Sequence, residues 1–426
     1  MVSLTQTIEC DLTIVGRGMA GMVAAVFAAN RGISTVQVGV DGGIVFSSGL
    51  FDLLSIHPIA AGTSWKDPWA GIESLVSDMP EHPYGRLKSA DIRAAFEEIL
   101  DFFESGKYPY KRREGQNVEV ITPLGTTKYT YCVPESMWQG VLAFEQKLPC
   151  LLVDFSDMNG FSAHEIVSNL QDQWPGLRPL SVPFPGAAKG SLVVGDVLAR
   201  SLELSQNREK LGREILPHIG EAKAVGLPAV LGLSRSREVI ADLTEQIGVP
   251  LFEIPTFSLS IPGLRLVDVF DRQLQKKGVL QFPQDRVLKV TRGQDGTFTA
   301  GAGNKKIQYE IKSKGIVLAT GRFWGRGLYA DRKQIRESVF NLPVTQPSGR
   351  TGWHNEQFLD PRGHAVNQAG LEIDDSFQPV DETGEPVFEN LFAAGSILAH
   401  QDWMRMKCGC GIAIATAYGA VNGFLN

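Results

Sequence analysis

The fold is decided by the stretch LTIVGRGMAG, residues 12–21, which joins an apolar strand to an alanine-rich helix running to Asn30, before a second strand begins. Its glycines have the spacing of the turn in a dinucleotide-binding βαβ unit. Gly16 permits the tight turn, Gly18 lets the backbone approach a phosphate, and Gly21 lets the helix pack closely on the strand. The helix start offers N–H groups and a positive dipole end. We therefore predict a phosphate site at this turn.

The acidic residue that binds the ribose of an adenosine is missing from its usual place. It belongs at the end of the second strand, about 20 residues beyond the glycines, and the count falls on Gly39. Asp41 lies two residues further on and would need a different loop path. The sequence therefore predicts phosphate anchoring and leaves adenosine anchoring open.

Composition and charge restrict the function classes. The 426 residues carry a net charge of −6 and a pI near 5.7, which argues against nucleic acid as a partner because phosphate backbones bind clustered Lys and Arg. The five cysteines show no metal or iron–sulfur spacing, so we predict no metal site and a reduced, cytoplasmic setting. The N-terminus lacks a signal-peptide pattern, and no run reaches the roughly 18 apolar residues of a membrane span. Any membrane association is expected to be peripheral or through a partner.

Two C-terminal segments add to the phosphate site. The apolar strand from residue 315 ends in Ala-Thr-Gly, residues 319–321, which resembles a turn of flavoproteins with two dinucleotide-binding folds. The segment 390–396 and then CGCG, residues 408–411, precede a small-residue helix over 412–422. A helix start there would face the negative charge of a reduced flavin ring, although the helix alone fits a core helix equally well. Together the pieces predict a flavin site containing Gly16, Gly18, Gly21, Thr320, Gly321, Gly395, Cys408, Gly409 and Gly411.

The loop after the second strand adds Ser47, Ser48 and Gly49 to this predicted site. It leaves the carboxyl end of a sheet strand, where ligands of such sheets bind. The alternative is that Ser47 or Ser48 caps a local helix.

The rest of the chain predicts an inserted domain. Strands at 150–155, 177–183, 229–233 and 251–254 alternate with helices at 162–173, 190–204 and 235–247, which is typical of a parallel sheet. Ser162 is expected to cap the first of these helices. A helix over 264–277 and two short β pairs, 279–290 and 297–310, follow. We predict an α/β, Rossmann-like FAD/NAD(P)-binding domain of three layers, interrupted by an inserted α/β domain. We predict that residues 1–75 and 256–426 form the flavin-binding domain and residues 145–255 form the inserted domain. Residues 76–144 are predicted to be a connection of mixed structure that includes a helix over 89–105.

Beyond these general features, the chain resembles the B subunit of anaerobic glycerol-3-phosphate dehydrogenase over nearly its whole length. The most specific matches are FSSGLFDLLS, residues 46–55, and TPLGT, residues 122–126. Further matches are HPY at 82–84, Phe161 with Ala163 and His164, PT at 255–256, PGLRL at 262–266, IRE at 335–337, and Cys408, Gly409 and Gly411. The segments 321–327, with Arg322 and Arg326, and 400–407 depart from the family pattern.

The resemblance implies a flavoprotein subunit in anaerobic respiration on glycerol. The family's complex oxidises sn-glycerol 3-phosphate to dihydroxyacetone phosphate and passes electrons toward quinone. Its A subunit is a flavoprotein with the main substrate site, and its C subunit carries iron–sulfur clusters and meets the membrane. The resemblance thus implies a cytoplasmic protein at the inner face of the membrane. It also implies FMN, whereas the dinucleotide motif alone implies FAD.

Three residues are candidates for catalysis. Oxidising an alcohol phosphate with a flavin requires a base for the hydroxyl proton and cations for the phosphate. Arg265 and Arg336 are the cations that match the family, and His400 is the candidate base. The alternative is that both arginines form ion pairs within the fold, and an electron-relay subunit needs no base at all.

Two other functions stay open from the sequence. One is a stand-alone flavin dehydrogenase or reductase of the fumarate reductase or ketosteroid dehydrogenase kind. The other is a non-catalytic scaffold that binds partner subunits.

Overall fold

The computed structural model describes residues 5–156, 158–185, 194–257 and 260–426. The chain forms two compact units. Unit 1 comprises Met1–Gly43, Phe51–Lys107 and Phe270–Asn426, and unit 2 comprises Ile44–Leu50 and Tyr108–Val269.

The helices and strands are numbered in chain order. The first half of the chain contains β1 (Gln6–Arg17), α1 (Met19–Asn30), β2 (Thr35–Asp41), α2 (Pro68–Asp78), α3 (Ser89–Ser105), β3 (Tyr110–Lys111), β4 (Val118–Ile121), β5 (Thr127–Thr130), β6 (Val133–Pro134), α4 (Glu135–Gln146), β7 (Cys150–Phe155), α5 (Ala163–Leu170), β8 (Leu177–Val182), α6 (Gly195–Leu202) and α7 (Ser205–Ile215). The second half contains β9 (Ala224–Pro228), α8 (Ser236–Ile247), β10 (Leu251–Ile254), α9 (Ile261–Lys276), β11 (Leu280–Pro283), β12 (Arg286–Arg292), β13 (Phe298–Gly303), β14 (Tyr309–Leu318), β15 (Leu328–Ala330), β16 (Ile335–Glu337), β17 (Leu391–Ala393), α10 (Trp403–Met406) and α11 (Gly409–Leu425).

The described part of unit 1 is built on a seven-stranded sheet. Six strands follow the order β11-β2-β1-β14-β13-β12, and β17 pairs with β14 beside them. β1 pairs in parallel with β2 and β14, whereas β12, β13 and β14 are joined antiparallel. Residues 12–15 of β1 are buried throughout, as expected for a central parallel strand covered on both faces. This is the α/β, Rossmann-like fold that the sequence predicts.

Helix α1 is a core helix, because every residue from 20 to 28 is buried. It packs on β1 and on α11. Gly32 follows the helix in the left-handed region, where a glycine ends helices without steric cost. At the same end, the Arg31 guanidinium pairs with Glu98 of α3 at 3.1 Å and lies 4.9 Å from the Tyr418 ring centroid of α11. Through these contacts, the C-terminal end of α1 packs against α3 and α11.

Unit 2 has its own sheet, which in the described residues is four-stranded and parallel in the order β10-β9-β7-β8. Strands β7, β9 and β10 are buried at every position. The Ser162 hydroxyl accepts a hydrogen bond from the Glu165 N–H at 3.2 Å and so caps α5, as the sequence predicts. An inserted α/β part with a parallel sheet is therefore present.

Two strand predictions are wrong. The predicted strand over 229–233 is instead a turn, in which the Val230 N–H donates to the Pro228 carbonyl and Gly232 has a φ of +81°. The strand lies just before it, over Ala224–Pro228. The predicted β pair over 279–290 is also absent, because β11 pairs in parallel with β2 and β12 pairs with β13. Residues 190–193 of the predicted helix 190–204 lie outside the described residues.

The two units divide the chain differently from the predicted domains. The predicted connection 76–144 is split between them at residue 107, and residues 256–269 lie in unit 2. The short segment Ile44–Leu50 also belongs to unit 2, where Gly263 of α9 approaches the Ile44 carbonyl so closely that a Cβ would lie 2.5 Å from its oxygen. The predicted three-part division stays a prediction.

One buried titratable residue lies at the turn before α3. His82 is wholly buried, and its Nδ1 accepts a hydrogen bond from the Tyr84 N–H at 3.2 Å. Burial, with smaller contributions from His57 and His400, lowers the pKa of His82 from 6.5 to about 3. The folded protein therefore holds this imidazole neutral, whereas the unfolded chain takes up a proton below pH 6.5.

We expect the free energy of unfolding to decrease as the pH falls from 6.5 toward 3, by up to about 1.4 kcal/mol per pH unit from His82 alone. The variant His82→Asn keeps an acceptor near the Nδ1 position and cannot protonate, so its unfolding should depend less on pH. Urea unfolding at pH 7.5 and 5.0 measures the difference. His164→Asn, at an exposed position of α5, is the control and should follow the unaltered protein. Equal pH dependence in all three proteins would contradict the neutral state of His82.

Candidate flavin site

The glycine turn is held by backbone packing against the end of β14. Gly16 has a φ of +128°, and a Cβ on it would lie 2.2 Å from the Ala319 carbonyl oxygen. A Cβ on Gly21 would lie 2.1 Å from the Gly16 carbonyl oxygen. No side chain fits at either position. The first two predicted pieces of the site, the glycine turn and the Ala-Thr-Gly turn, are thus in direct contact.

Gly18 differs from its two neighbours in the motif, because nothing lies within 4 Å of a Cβ placed on it. It precedes α1 in extended conformation, with φ −76° and ψ −178°, and no side chain caps the helix start. The first N–H groups of a helix lack intrahelical partners. The space at Gly18 is therefore open beside an uncapped helix start, and phosphate binding there stays a prediction.

The third predicted piece of the site, the segment 390–396, also lies close to the start of α1. Gly395 has a φ of +82°, and a Cβ on it would lie 2.5 Å from the Ala20 Cβ in the first turn of α1. Its N–H donates to the Thr416 hydroxyl of α11 at 2.8 Å. A Cβ on Gly321, which has a φ of +70°, would lie 3.4 Å from the Ser396 Oγ. Thr320 Oγ1 is buried and has no hydrogen-bond partner among the described residues.

The start of α11 lies at Gly409, three residues before the predicted helix 412–422. Its glycines are explained by packing within the protein. A Cβ on Gly411 would lie 2.1 Å from the Tyr84 hydroxyl oxygen, and one on Gly409 would lie 2.9 Å from the Trp403 ring. The Gly411 N–H donates to the Asp52 carbonyl at 2.8 Å. Cys408 is buried, and burial raises the pKa of its thiol well above the ordinary range. Flavin contact by Cys408, Gly409 and Gly411 stays a prediction.

The glycine turn contains a buried arginine that sequence reasoning passed over. Arg17, between the two glycines, is 1% exposed and donates to Asp41 at 3.0 Å and to Asp271 at 2.7 Å. A Cβ on Gly39 would lie 2.8 Å from the Arg17 backbone nitrogen, so β2 is too close to the turn for a side chain. Asp41 is therefore engaged by Arg17.

The predicted loop residues Ser47, Ser48 and Gly49 belong to unit 2. The Ser47 hydroxyl accepts from the Gly49 N–H at 3.2 Å, and the Ser48 hydroxyl accepts from the Leu50 N–H at 3.4 Å. The Gly49 carbonyl accepts from the Tyr110 hydroxyl at 2.7 Å. These bonds close a turn, and no helix of the described residues begins at either serine, so the alternative of a helix cap is wrong. A cofactor contact by the three residues stays a prediction.

The structure uses Arg265 within the fold and not at an open site, which corrects its assignment as a substrate ligand. Its side chain is 1% exposed and pairs with Glu253 at 2.6 Å, and it also donates to the Gly232 carbonyl. Leaving this carboxylate would strand an unpaired buried charge, which costs about 3–5 kcal/mol. Arg265 and Glu253 therefore form a structural ion pair of unit 2.

The two other catalytic candidates also have partners in the fold. Arg336 of β16 pairs with Asp331 at 3.2 Å and is 37% exposed. His400 Nε2 lies 2.7 Å from a Glu372 carboxylate oxygen, and this hydrogen bond lowers the pKa of Glu372. Neither is excluded from contact with a ligand, and their catalytic roles stay predictions.

Arg322 and Arg326, in the segment 321–327 that departs from the family pattern, differ in their burial. Arg322 donates to the backbone carbonyls of Asn367, Leu398 and Gln401, and burial lowers its pKa to about 10. It thereby holds the loops around it together. Arg326 is exposed and has a φ of +60°.

The fold and the site together define a flavoprotein. The chain belongs to the FAD binding domain family, whose sequence model matches residues 11–412. Among curated proteins, it is 26% identical over 420 residues to the B subunit of anaerobic glycerol-3-phosphate dehydrogenase from Vibrio vulnificus, with 96% of this chain and 95% of that protein covered. It is 29% identical over 426 residues to the probable B subunit of the same enzyme from Halobacterium salinarum, with 97% of each chain covered. The resemblance predicted from the sequence is confirmed.

Solved structures that match the chain include 3-ketosteroid Δ1-dehydrogenase from Sterolibacterium denitrificans, with a TM-score of 0.45, 12% identity, and 98% of this chain and 99% of that one covered. A flavocytochrome c3 fumarate reductase matches with a TM-score of 0.41, 10% identity, and 98% and 79% coverage. The family match supports FAD as the cofactor class and gives no support to FMN. Among the described helices, none is long and apolar enough to cross a membrane.

The open space at Gly18 gives a direct test of the site. The variant Gly18→Ala adds a methyl group where no protein atom lies within 4 Å, so folding should be unaffected while bound flavin decreases at least about tenfold through loss of the close phosphate approach. Flavin per chain and thermal unfolding of the flavin-free protein are the two measurements.

Gly352→Ala is the matched control, because its Cβ would make an ordinary contact of 3.5 Å with Pro347 in an exposed turn. This variant should keep its flavin. If Gly18→Ala also retains full flavin content, the phosphate does not bind at the start of α1.

Proposed function

We propose that this chain is the flavin-bearing B-type subunit of an anaerobic sn-glycerol-3-phosphate:quinone oxidoreductase. The observation that carries the proposal is the similarity to proteins named as this subunit along 96–97% of the chain. Such end-to-end similarity is expected of a protein with the same architecture and partners. The partners in this proposal are a flavoprotein subunit with the main substrate site and an iron–sulfur subunit that meets the membrane.

Within this complex, we assign the chain the role of an electron relay. Oxidation of a secondary alcohol requires a base and phosphate-binding cations beside the flavin. Of the three candidates, Arg265 is buried in an ion pair, Arg336 pairs with Asp331, and His400 pairs with Glu372. A relay needs none of these groups, because it only accepts and passes on electrons. The arrangement of the described side chains therefore favours a relay over direct substrate oxidation.

The cofactor in this proposal is the mononucleotide flavin, FMN. The start of α1 would bind its phosphate through backbone N–H groups, with Gly18 keeping the approach free of side chains. Arg17 pairs with both Asp41 and Asp271, so the carboxylate nearest the expected ribose position is already engaged in an ion pair within the fold. A bound flavin would supply the electron chemistry, taking up electrons in pairs and releasing them singly. The residues of the chain bind, orient and enclose it.

One experiment with two readouts tests the proposal. The purified chain is expected to be yellow, and chromatography of the acid-released cofactor should give FMN. Anaerobic addition of sn-glycerol 3-phosphate to the chain alone should leave the flavin oxidised, whereas dithionite should bleach it.

Each alternative gives a different result. Released FAD would contradict the mononucleotide assignment, and a colourless chain that flavin cannot reconstitute would favour the scaffold function. Bleaching by sn-glycerol 3-phosphate alone would contradict the relay role and favour a stand-alone dehydrogenase.

A further inference from the structure

Unit 1 presents a group of large apolar side chains to solvent in three segments, 321–327, 354–364 and 400–407. Every exposed phenylalanine and tryptophan among the described residues of this unit lies in them, together with one leucine and one methionine. These six residues, which form the apolar surface, are Phe323, Trp324, Phe358, Leu359, Trp403 and Met404. We infer that the apolar surface binds directly to a membrane interface that contains anionic phospholipid. In the proposed function a partner subunit meets the membrane, whereas this contact is made by the chain itself.

The three segments lie side by side. The Arg322 guanidinium donates to the Gln401 carbonyl at 2.8 Å, which joins the first segment to the third. A Cβ on Gly363 would lie 2.9 Å from the Arg405 Cδ, so the second segment also lies against the third. The six apolar side chains therefore belong to one region of unit 1.

The two most exposed side chains are attached to a backbone that hydrogen bonds hold in place. The His364 ring accepts from the Asn355 N–H at its Nδ1 at 3.0 Å, and its Nε2 donates to the Phe358 carbonyl at 3.0 Å. The side chains of Phe358 and Leu359 are nevertheless 86% and 84% exposed. These two neighbours thus project from a hydrogen-bonded turn and make little contact with their own unit.

Shape and residue type favour lipid over a protein as the occupant. Large exposed apolar groups mark surfaces that bind proteins or membranes. A projecting pair such as Phe358 and Leu359 needs a matching groove on a protein, whereas the fluid boundary between lipid headgroups and acyl chains accommodates any shape. Trp324, which is 75% exposed, and Trp403 are of the residue type enriched at this boundary, because an indole ring has an apolar body and one N–H donor.

Charge favours anionic lipid. The three segments contain five Lys and Arg residues and three Asp and Glu residues, although the whole chain has a net charge of −6. Arg362 pairs with Asp360 at 2.7 Å, and Arg405 pairs with Asp402 at 3.2 Å. The charged residues beyond these two pairs are Arg322, Arg326, Lys407 and Glu356. They carry a surplus of two positive charges, which an anionic membrane surface attracts.

Sedimentation of the full-length chain with lipid vesicles tests the inference. Two preparations are compared, phosphatidylcholine alone and phosphatidylcholine mixed with phosphatidylglycerol. We expect binding to the mixed vesicles that weakens as salt is raised, because ions screen the attraction between the charges. Binding to phosphatidylcholine alone should be at least about tenfold weaker, because the two surplus positive charges then have no anionic partner.

Variants of the apolar surface separate its two contributions. Phe358→Ser combined with Leu359→Ser should weaken binding to the mixed vesicles at least about tenfold, because neither position then buries an apolar side chain in the membrane. Arg326→Gln should weaken it about fivefold, the effect of one cation near an anionic surface. All three positions are exposed, so circular dichroism and thermal unfolding should match those of the unaltered protein.

Leu280→Ser combined with Leu425→Ser is the matched control. Both leucines are exposed in unit 1, at 45% and 54%. Leu280 begins β11, and Leu425 ends α11, whereas Trp403 packs against Gly409 at the start of that helix. This control should keep its vesicle binding within about twofold of the unaltered protein.

Three results would overturn the inference: equal losses in the two double variants, equal binding to both kinds of vesicle, or no binding by the correctly folded chain. Sedimentation without lipid identifies a different occupant. A dimer that Phe358→Ser combined with Leu359→Ser converts to monomers would show that a second copy covers the apolar surface, and would also overturn the inference. The experiment involves neither substrate nor reduction of the flavin, so its failure is separate from failure of the proposed relay function.

Discussion

The structure of unit 1 depends on the close contact between the glycine turn and the end of β14. The carbonyl oxygens of Ala319 and Gly16 occupy the places where side chains of Gly16 and Gly21 would be. This contact places the glycine turn against the Ala-Thr-Gly turn. Gly395 lies close to Ala20 in the first turn of α1, and its backbone N–H donates to the Thr416 hydroxyl of α11. Three distant parts of the chain are thereby brought to one helix start.

The features of the fold that depend on local periodicity and on glycine spacing could be predicted from the sequence. The βαβ unit, the parallel sheet of unit 2 and the Ser162 cap follow from apolar runs and capping chemistry. The turn over 229–233 was missed because its residues are as apolar as the neighbouring strand, so hydrophobicity could not tell them apart. The pairing of β11 with β2 was missed because strand partners depend on topology that short strands do not encode.

The site was less predictable, because the same residue type serves packing and binding. A side chain at Gly18 would meet open space, whereas a side chain at Gly411 would collide with the Tyr84 hydroxyl. The sequence shows no difference between these two glycines. Arg265 matched a substrate-binding pattern and is instead half of a buried ion pair. Arg17 is the sequence signal that could have been recognised. An arginine inside the glycine turn can pair with an aspartate at the end of the next strand, here Asp41.

We propose that the start of α1 binds a single flavin phosphate, and Gly39 offers no side chain to bind the ribose of an adenosine. Phosphorus NMR of the purified chain measures this without releasing the cofactor. One phosphate monoester resonance per chain is expected, and it should disappear in Gly18→Ala. A pair of diphosphate resonances would show an intact dinucleotide and would rule out binding of a mononucleotide.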